Sequence, residues 1–200
     1  MSAQPSVLAI AGSTRKGSWN CKLLDAATHE LMRRGIRVAV ADLAEYLMPL
    51  MNQDLEEASG MPEKARDLKQ LMRAHDGLLV ASPEYNGSLS PLLKNTIDWV
   101  SRQEPGESVP LVAYRNKVAA LLSASPGALG GLRGLVHLRQ ILSGIGVLVI
   151  PEQVAIPAAH EAFSPDGGLV DEKLGAALAR QADAFAFVLK RLTHDGTEPR

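Results

Sequence analysis

Cysteine occurs once in this 200-residue chain, at Cys21. That excludes an intramolecular disulfide framework, a CxxC redox pair and a thiolate metal cluster, and it suits a cytoplasmic protein. An excess of either charge is also missing. Lys and Arg total 21 against 22 Asp and Glu, for a net charge of -1. A nucleic-acid-binding surface normally shows a basic balance and clustered cations, so no nucleic-acid partner is expected. No apolar stretch is long enough to cross a bilayer, and the amino terminus has no basic segment before a long apolar core, so neither a membrane span nor a leader is expected. The five histidines, at 29, 75, 137, 160 and 194, show neither HxxH nor HExxH spacing, and no metal site is expected. GxSxG is missing, and with it the nucleophile elbow of a serine hydrolase. Small molecules and further copies of the chain remain as expected partners.

Two hundred residues with 46% hydrophobic content suffice for one domain, 1–200, with a core over about residues 7–192. Short apolar runs at residues 7–11, 36–41, 77–81, 117–123 and 147–150 alternate with helical periodicity. This is the pattern of a parallel sheet covered on both faces. Ser18 is placed to cap a helix running to Arg34, with Leu24, Ala27 and Leu31 inward. Pro62 opens a second helix carrying Ala65, Leu68, Leu71 and Met72. Further helices are predicted over residues 89–101, 131–143 and 171–192, the last with Leu174, Leu178, Phe185, Val188 and Leu192 inward. Right-handed crossovers then favour an α/β, flavodoxin-like sandwich with strand order 2-1-3-4-5. Residues 42–60 and 151–168 fit no regular repeat and read as irregular rim and partner-contact segments.

Chemistry concentrates in three loops. GSTRKGSWN, residues 12–20, follows the first strand and opens the first helix. Ser13, Thr14 and Ser18 read alone as helix-capping residues. Together with Arg15, Asn20 and the helix amino-terminal amides they form an anion site suited to a phosphate. Gly12 and Gly17 have the GxxxxG spacing of a nucleotide P-loop, but Ser18 and Trp19 stand where its Lys and Ser/Thr belong. A GxGxxG fingerprint is absent. The rest of a ligand anchored here must lie over the next loops, SPEYNGSLSPLLKNTIDWVSR (82–102) and SASPGALGG (123–131).

These three motifs, in this order, resemble the flavin loops of the NADPH-dependent FMN reductase family, over about residues 7–192. The resemblance implies that Ser13, Arg15, Ser18 and Asn20 hold the FMN phosphate. It implies that Pro83, Glu84, Tyr85, Asn86 and Gly87 border the isoalloxazine, and that Ser123, Gly127, Gly130 and Gly131 complete the ring pocket. It further implies NADPH or NADH as co-substrate, small-molecule electron acceptors and ping-pong turnover. The catalytic chemistry then resides on FMN rather than on a side chain. Backbone donors around Asn86 and Gly127 would face the flavin's pyrimidine edge. Tyr85 reads either as a substrate wall or as a loop anchor.

One departure is Ser90-Pro91, where the family often has Pro-Gly, and it bears on the start of the third helix. The resemblance also implies a homodimer or homotetramer, with Arg102 and Arg133 at the interface. Asp98 and Arg102, four apart on one helix, are expected to pair. Trp99 reads as packing, His137 as packing or interface, and Cys21 as a small residue on a helix face, although a helix amino terminus can lower a thiol pKa. The alternative functions are a non-enzymatic electron carrier of flavodoxin type, which is usually strongly acidic, and a flavin-binding sensor.

Overall fold

Alternation along the strands decides how the layers form. In the computed structural model, which describes residues 4–194, the first strand β1 (Ser6–Ala11) is buried along its whole length. Val7, Ala9 and Ala11 point to one face, and Leu8 and Ile10 to the other. The same division holds in β3 (Gly77–Ala81) and β4 (Val118–Ala124), because successive side chains in a strand project to opposite sides. With β2 (Arg37–Ala41) and β5 (Leu148–Ile156) at the edges, the sheet is parallel and has the order β2-β1-β3-β4-β5. The expected topology is therefore present.

Helices α1 (Trp19–Arg33) and α6 (Glu172–His194) cover one face. On the other lie α2 (Gln53–Ser59), α3 (Glu63–Arg73), α4 (Pro91–Val100) and α5 (Leu132–Gly144). Leu24, Ala27 and Leu31 of α1 and Ala65, Leu68 and Met72 of α3 are buried as their spacing requires. Trp99 is fully buried, and its indole N–H donates to Pro49 O at 2.8 Å. Residues 1–3 and 195–200, and the side chain of His194, lie outside the described residues.

Four expectations are corrected. Residues 53–59 of the segment expected to be irregular form α2. Asn52 caps it by accepting from Asp54 N at 2.8 Å, and none of its residues is buried, so no apolar stripe announced it. Strand β5 runs on to Ile156 through Pro151. A register shift opposite Ala119 to Leu121 absorbs the proline, which an edge strand tolerates at a bulge. In α6 the buried position is Leu189, while Leu192 is 55% exposed. Asp98 pairs with Lys94 at 2.8 Å rather than with Arg102, whose guanidinium reaches across to Glu56 at 2.7 Å. The spacing rule assumed one helix through Arg102, but α4 ends at Val100, and beyond it Arg102 turns to a carboxylate of α2.

Candidate active site

Loops that leave the carboxyl ends of β1, β3 and β4 are held at one level by hydrogen bonds continuing the sheet. Gly12 N donates to Ala81 O at 2.8 Å, Ser82 N to Leu122 O at 2.9 Å, and Ser125 N to Ile156 O at 3.1 Å. Ser90 ties the first loop to α4. Its hydroxyl donates to Gly12 O at 2.6 Å and accepts from Leu93 N at 3.2 Å, capping the helix whose first residue is Pro91. The Ser90-Pro91 departure thus supplies a buried link between two of the three motifs.

The first loop ends at a helix that lacks a side-chain cap. Ser18 occupies the N-cap position of α1 and is buried, yet its side chain makes no capping hydrogen bond, and the first turn carries no acidic residue. The expectation of a Ser18 cap is corrected: the position is right and the bond is not made. Donors at this helix start are thereby left for another acceptor, whereas α2 and α4 have side-chain caps. Arg15 is exposed, with its guanidinium 4.7 Å from the Trp19 ring centroid, and Ser13 Oγ accepts from Arg15 N at 3.4 Å. Asn20 is buried. Its side chain donates to Ala124 O and accepts from Ala124 N, each at 3.0 Å, so this amide is engaged with the end of β4.

The second loop presents a tight turn. Tyr85 and Ser88 exchange backbone hydrogen bonds of 2.9 and 3.0 Å around Asn86 (φ 52°) and Gly87 (φ 81°), as in a type I′ hairpin turn, where Asn-Gly is the favoured pair. Tyr85 stands 53% exposed on this turn, and Pro83 is half-buried. Glu84 turns inward instead. It accepts from Arg133 Nε at 2.8 Å and from Gly134 N at 3.2 Å, at the positive end of α5. Burial raises its carboxyl pKa, but the hydrogen bonds from Arg133 and from the Gly134 N–H outweigh this and hold it below the usual carboxylate value.

The third loop is anchored at both ends. Ser123, fully buried, donates to Gly130 O at 2.7 Å. A side chain at Gly130 would place its Cβ 2.6 Å from the Ile156 backbone, and one at Gly131 would reach the Ser123 Cβ at 2.8 Å. Between the anchors, Gly127 is exposed. Of the thirteen expected site residues, Ser18, Asn20, Ser123, Gly130 and Gly131 are buried framework and Glu84 is a charged brace. Arg15, Tyr85, Asn86 and Gly127 are presented to solvent, and Ser13, Pro83 and Gly87 are half-buried. Sequence reasoning missed Trp19 under Arg15 and the Ser90 link. An aromatic four residues after an Arg, and a Ser-Pro helix start, were the available signals.

The NADPH-dependent FMN reductase family model matches residues 5–161. The chain belongs to this family. Over 193 residues it is 37% identical to an NAD(P)H-dependent FMN reductase of Pseudomonas aeruginosa, covering 96% of this chain and 99% of that protein. It is 30% identical over 197 residues to a quinone reductase of Escherichia coli K12, covering 96% and 99%. Among solved structures, the flavoenzyme NAD(P)H:(acceptor) oxidoreductase of Paracoccus denitrificans superposes with a TM-score of 0.77 at 29% identity, covering 94% of this chain and 98% of that one. The protein is therefore an oxidoreductase of an FMN- and NAD(P)H-using family.

The reductase's own residues fit an FMN phosphate. A helix start without a side-chain cap, the Ser13 hydroxyl and the Arg15 guanidinium make up a donor set of the right sign. Cys21, on the other side of the first loop, does not act as an activated thiol. Burial pushes its pKa up, against partial relief from a hydrogen bond with Ser18. Desolvation thus outweighs the lowering that a helix terminus can bring to a thiol.

Proposed function

We propose that this reductase binds FMN across the loops after β1, β3 and β4 and reduces small-molecule acceptors such as quinones, azo compounds, oxidised metals or free flavin. The observation that carries the reading is the uncapped start of α1, with Arg15 beside it, on the same sheet edge as the exposed Tyr85-Asn86-Gly87 turn. Bound FMN would supply the redox chemistry, taking hydride from NADPH or NADH and passing electrons to the acceptor by ping-pong turnover.

Ser13, Arg15 and Ser18 hold the phosphate, with Asn20 contributing its backbone N–H while its amide fixes the helix to β4. Pro83, Asn86 and Gly87 border the ring, and Glu84 keeps that turn in place from behind. Ser123, Gly130 and Gly131 shape the opposite border, and N–H groups around Asn86 and Gly127 stabilise negative charge arriving at the pyrimidine edge. Tyr85, exposed on its turn, walls the face that co-substrate and acceptor occupy one after the other. Leu129, Leu132 and Val136, exposed around the start of α5, support assembly into a homodimer or homotetramer. The solitary cysteine supports a cytoplasmic location.

The decisive experiment starts from a visible spectrum of the purified protein with added FMN, followed by anaerobic mixing with NADH or NADPH. Rapid bleaching of bound flavin, recovery on adding a quinone, and parallel double-reciprocal plots are expected. A flavin that binds but is not bleached would sink the enzyme reading in favour of an electron carrier or a sensor.

A further inference from the structure

The flank of the first loop that faces β2 carries a cavity that shares only Ser13 and Arg15 with the phosphate site proposed above. It lies between that loop, the first turns of α1 and the end of β2 and has a volume of about 290 Å³. No residue of the loops after β3 or β4 lines it. Its apolar wall is made by Leu24, Val40 and Leu43, with Val40 54% exposed at the rim. Four charged side chains also line it: Arg15 and Lys16 from the loop, Asp25 from α1 and Asp42 just beyond β2. Among the described residues none of the four is in an ion pair. Asp42 Oδ1 accepts from Ala44 N at 2.9 Å, which fixes the carboxylate and leaves Oδ2 for a ligand.

An apolar slot, a fixed carboxylate and Lys16, the cation that the FMN phosphate does not take, match a flat ring, a vicinal diol and a phosphate, in that order. In Rossmann-type dinucleotide sites, whose strand order and glycine loop differ from those here, a carboxylate after the second strand accepts from the adenine ribose and an Arg accommodates a 2′-phosphate. Asp42, just beyond β2, offers the same acceptor chemistry in this sheet, and its charge opposes a phosphate on the 2′ oxygen. We propose that this cavity receives the adenosine end of the nicotinamide dinucleotide, with Asp42 accepting from the ribose hydroxyls and Lys16 facing the adjacent phosphates, and that Asp42 makes NADH the preferred donor. This rests on the reductase reading above. The placement is compatible in reach, since the gap between β1 and β2 lies two strand spacings, about 10 Å, from the gap between β3 and β4. One extended dinucleotide then passes over the first loop from the cavity to the flavin face.

The test uses the FMN-loaded protein and the Asp42→Asn variant, which keeps the acceptor for Ala44 N but loses the charge. The expected result is a KM for NADH raised roughly tenfold, a KM for a quinone unchanged, and a selectivity moved toward NADPH. A second variant, Val40→Asp, alters only an exposed rim position and is expected to raise the KM for NADH as well. ADP-ribose should compete with NADH against the wild-type protein. An Asp42→Asn protein whose KM for NADH stays within twofold of wild type, or ADP-ribose that fails to compete, overturns the assignment while leaving the reductase reading intact. A wild-type protein whose flavin is bleached by neither dinucleotide overturns both.

Discussion

Glu84 and Arg133 join the loop after β3 to the first turn of α5, with Arg133 Nε donating to Glu84 Oε1 at 2.8 Å across 49 residues of sequence. Arg133 was expected at a subunit interface by resemblance, and within one chain it braces the Tyr85-Asn86-Gly87 turn. Since Gly134 N also donates to this carboxylate, Glu84 acts as a long-range cap for α5.

Replacing Glu84 by Gln should lower stability by about 1 kcal/mol at neutral pH, because Arg133 is largely solvated and the charge contribution is modest. The Glu84 pKa is lowered in the folded protein, so its stabilising contribution is complete above the ordinary carboxylate value and fades as pH falls through the depressed one. Urea midpoints of wild type and Glu84→Gln should therefore differ at pH 7 and converge on the acid side, below about pH 4.5.

Asn20→Ala should destabilise the flavin-free protein by about 2 to 3 kcal/mol, because Ala124 N and O both lose a buried partner. Thermal unfolding of the apoprotein checks this. A variant with wild-type stability and only weaker FMN binding would show that the side chain serves the phosphate rather than the framework.

Arg15→Ala should leave the fold intact, since the side chain is exposed and stacks only on Trp19. FMN affinity should fall roughly tenfold to a hundredfold. Fluorescence titration at low and high salt is the measurement, with the wild-type protein losing affinity more steeply than the variant as salt rises.

Gly130→Ala should be more damaging than its size suggests, at about 2 kcal/mol or more. The residue has φ 60°, and a new Cβ would lie 2.6 Å from the Ile156 backbone, which has no flexible side chain to move aside. Chemical denaturation of apoprotein and holoprotein checks it. The flavin-bound form should recover part of the loss, because a ligand that binds only the folded state stabilises it.

Much of the fold was legible because its signals are local. Buried strands of five to seven residues, such as Gly77–Ala81 and Val118–Ala124, are apolar apart from Ser123, and α3 repeats its core residues at helical spacing. Helix α2 and the far half of β5 were not legible, since one buries nothing and the other carries a proline that only an edge strand with a bulge admits. Local spacing likewise suggested the Asp98 to Arg102 pair, which the folded chain replaces with Lys94 to Asp98 and Glu56 to Arg102.

The sequence by itself determined the layer pattern, the strand order and the three motifs that place the chain among the FMN reductases, because periodicity, turn residues and motif spacing are written along one dimension. Only the tertiary structure decided how the residues of those motifs divide between framework and exposed surface. Asn20, Glu84 and Ser123 are spent on bonds to Ala124, Arg133 and Gly130, while Arg15, Tyr85 and Gly127 are left exposed. Polar side chains of similar type take either role, and the choice depends on which distant backbone groups would otherwise be buried without a partner.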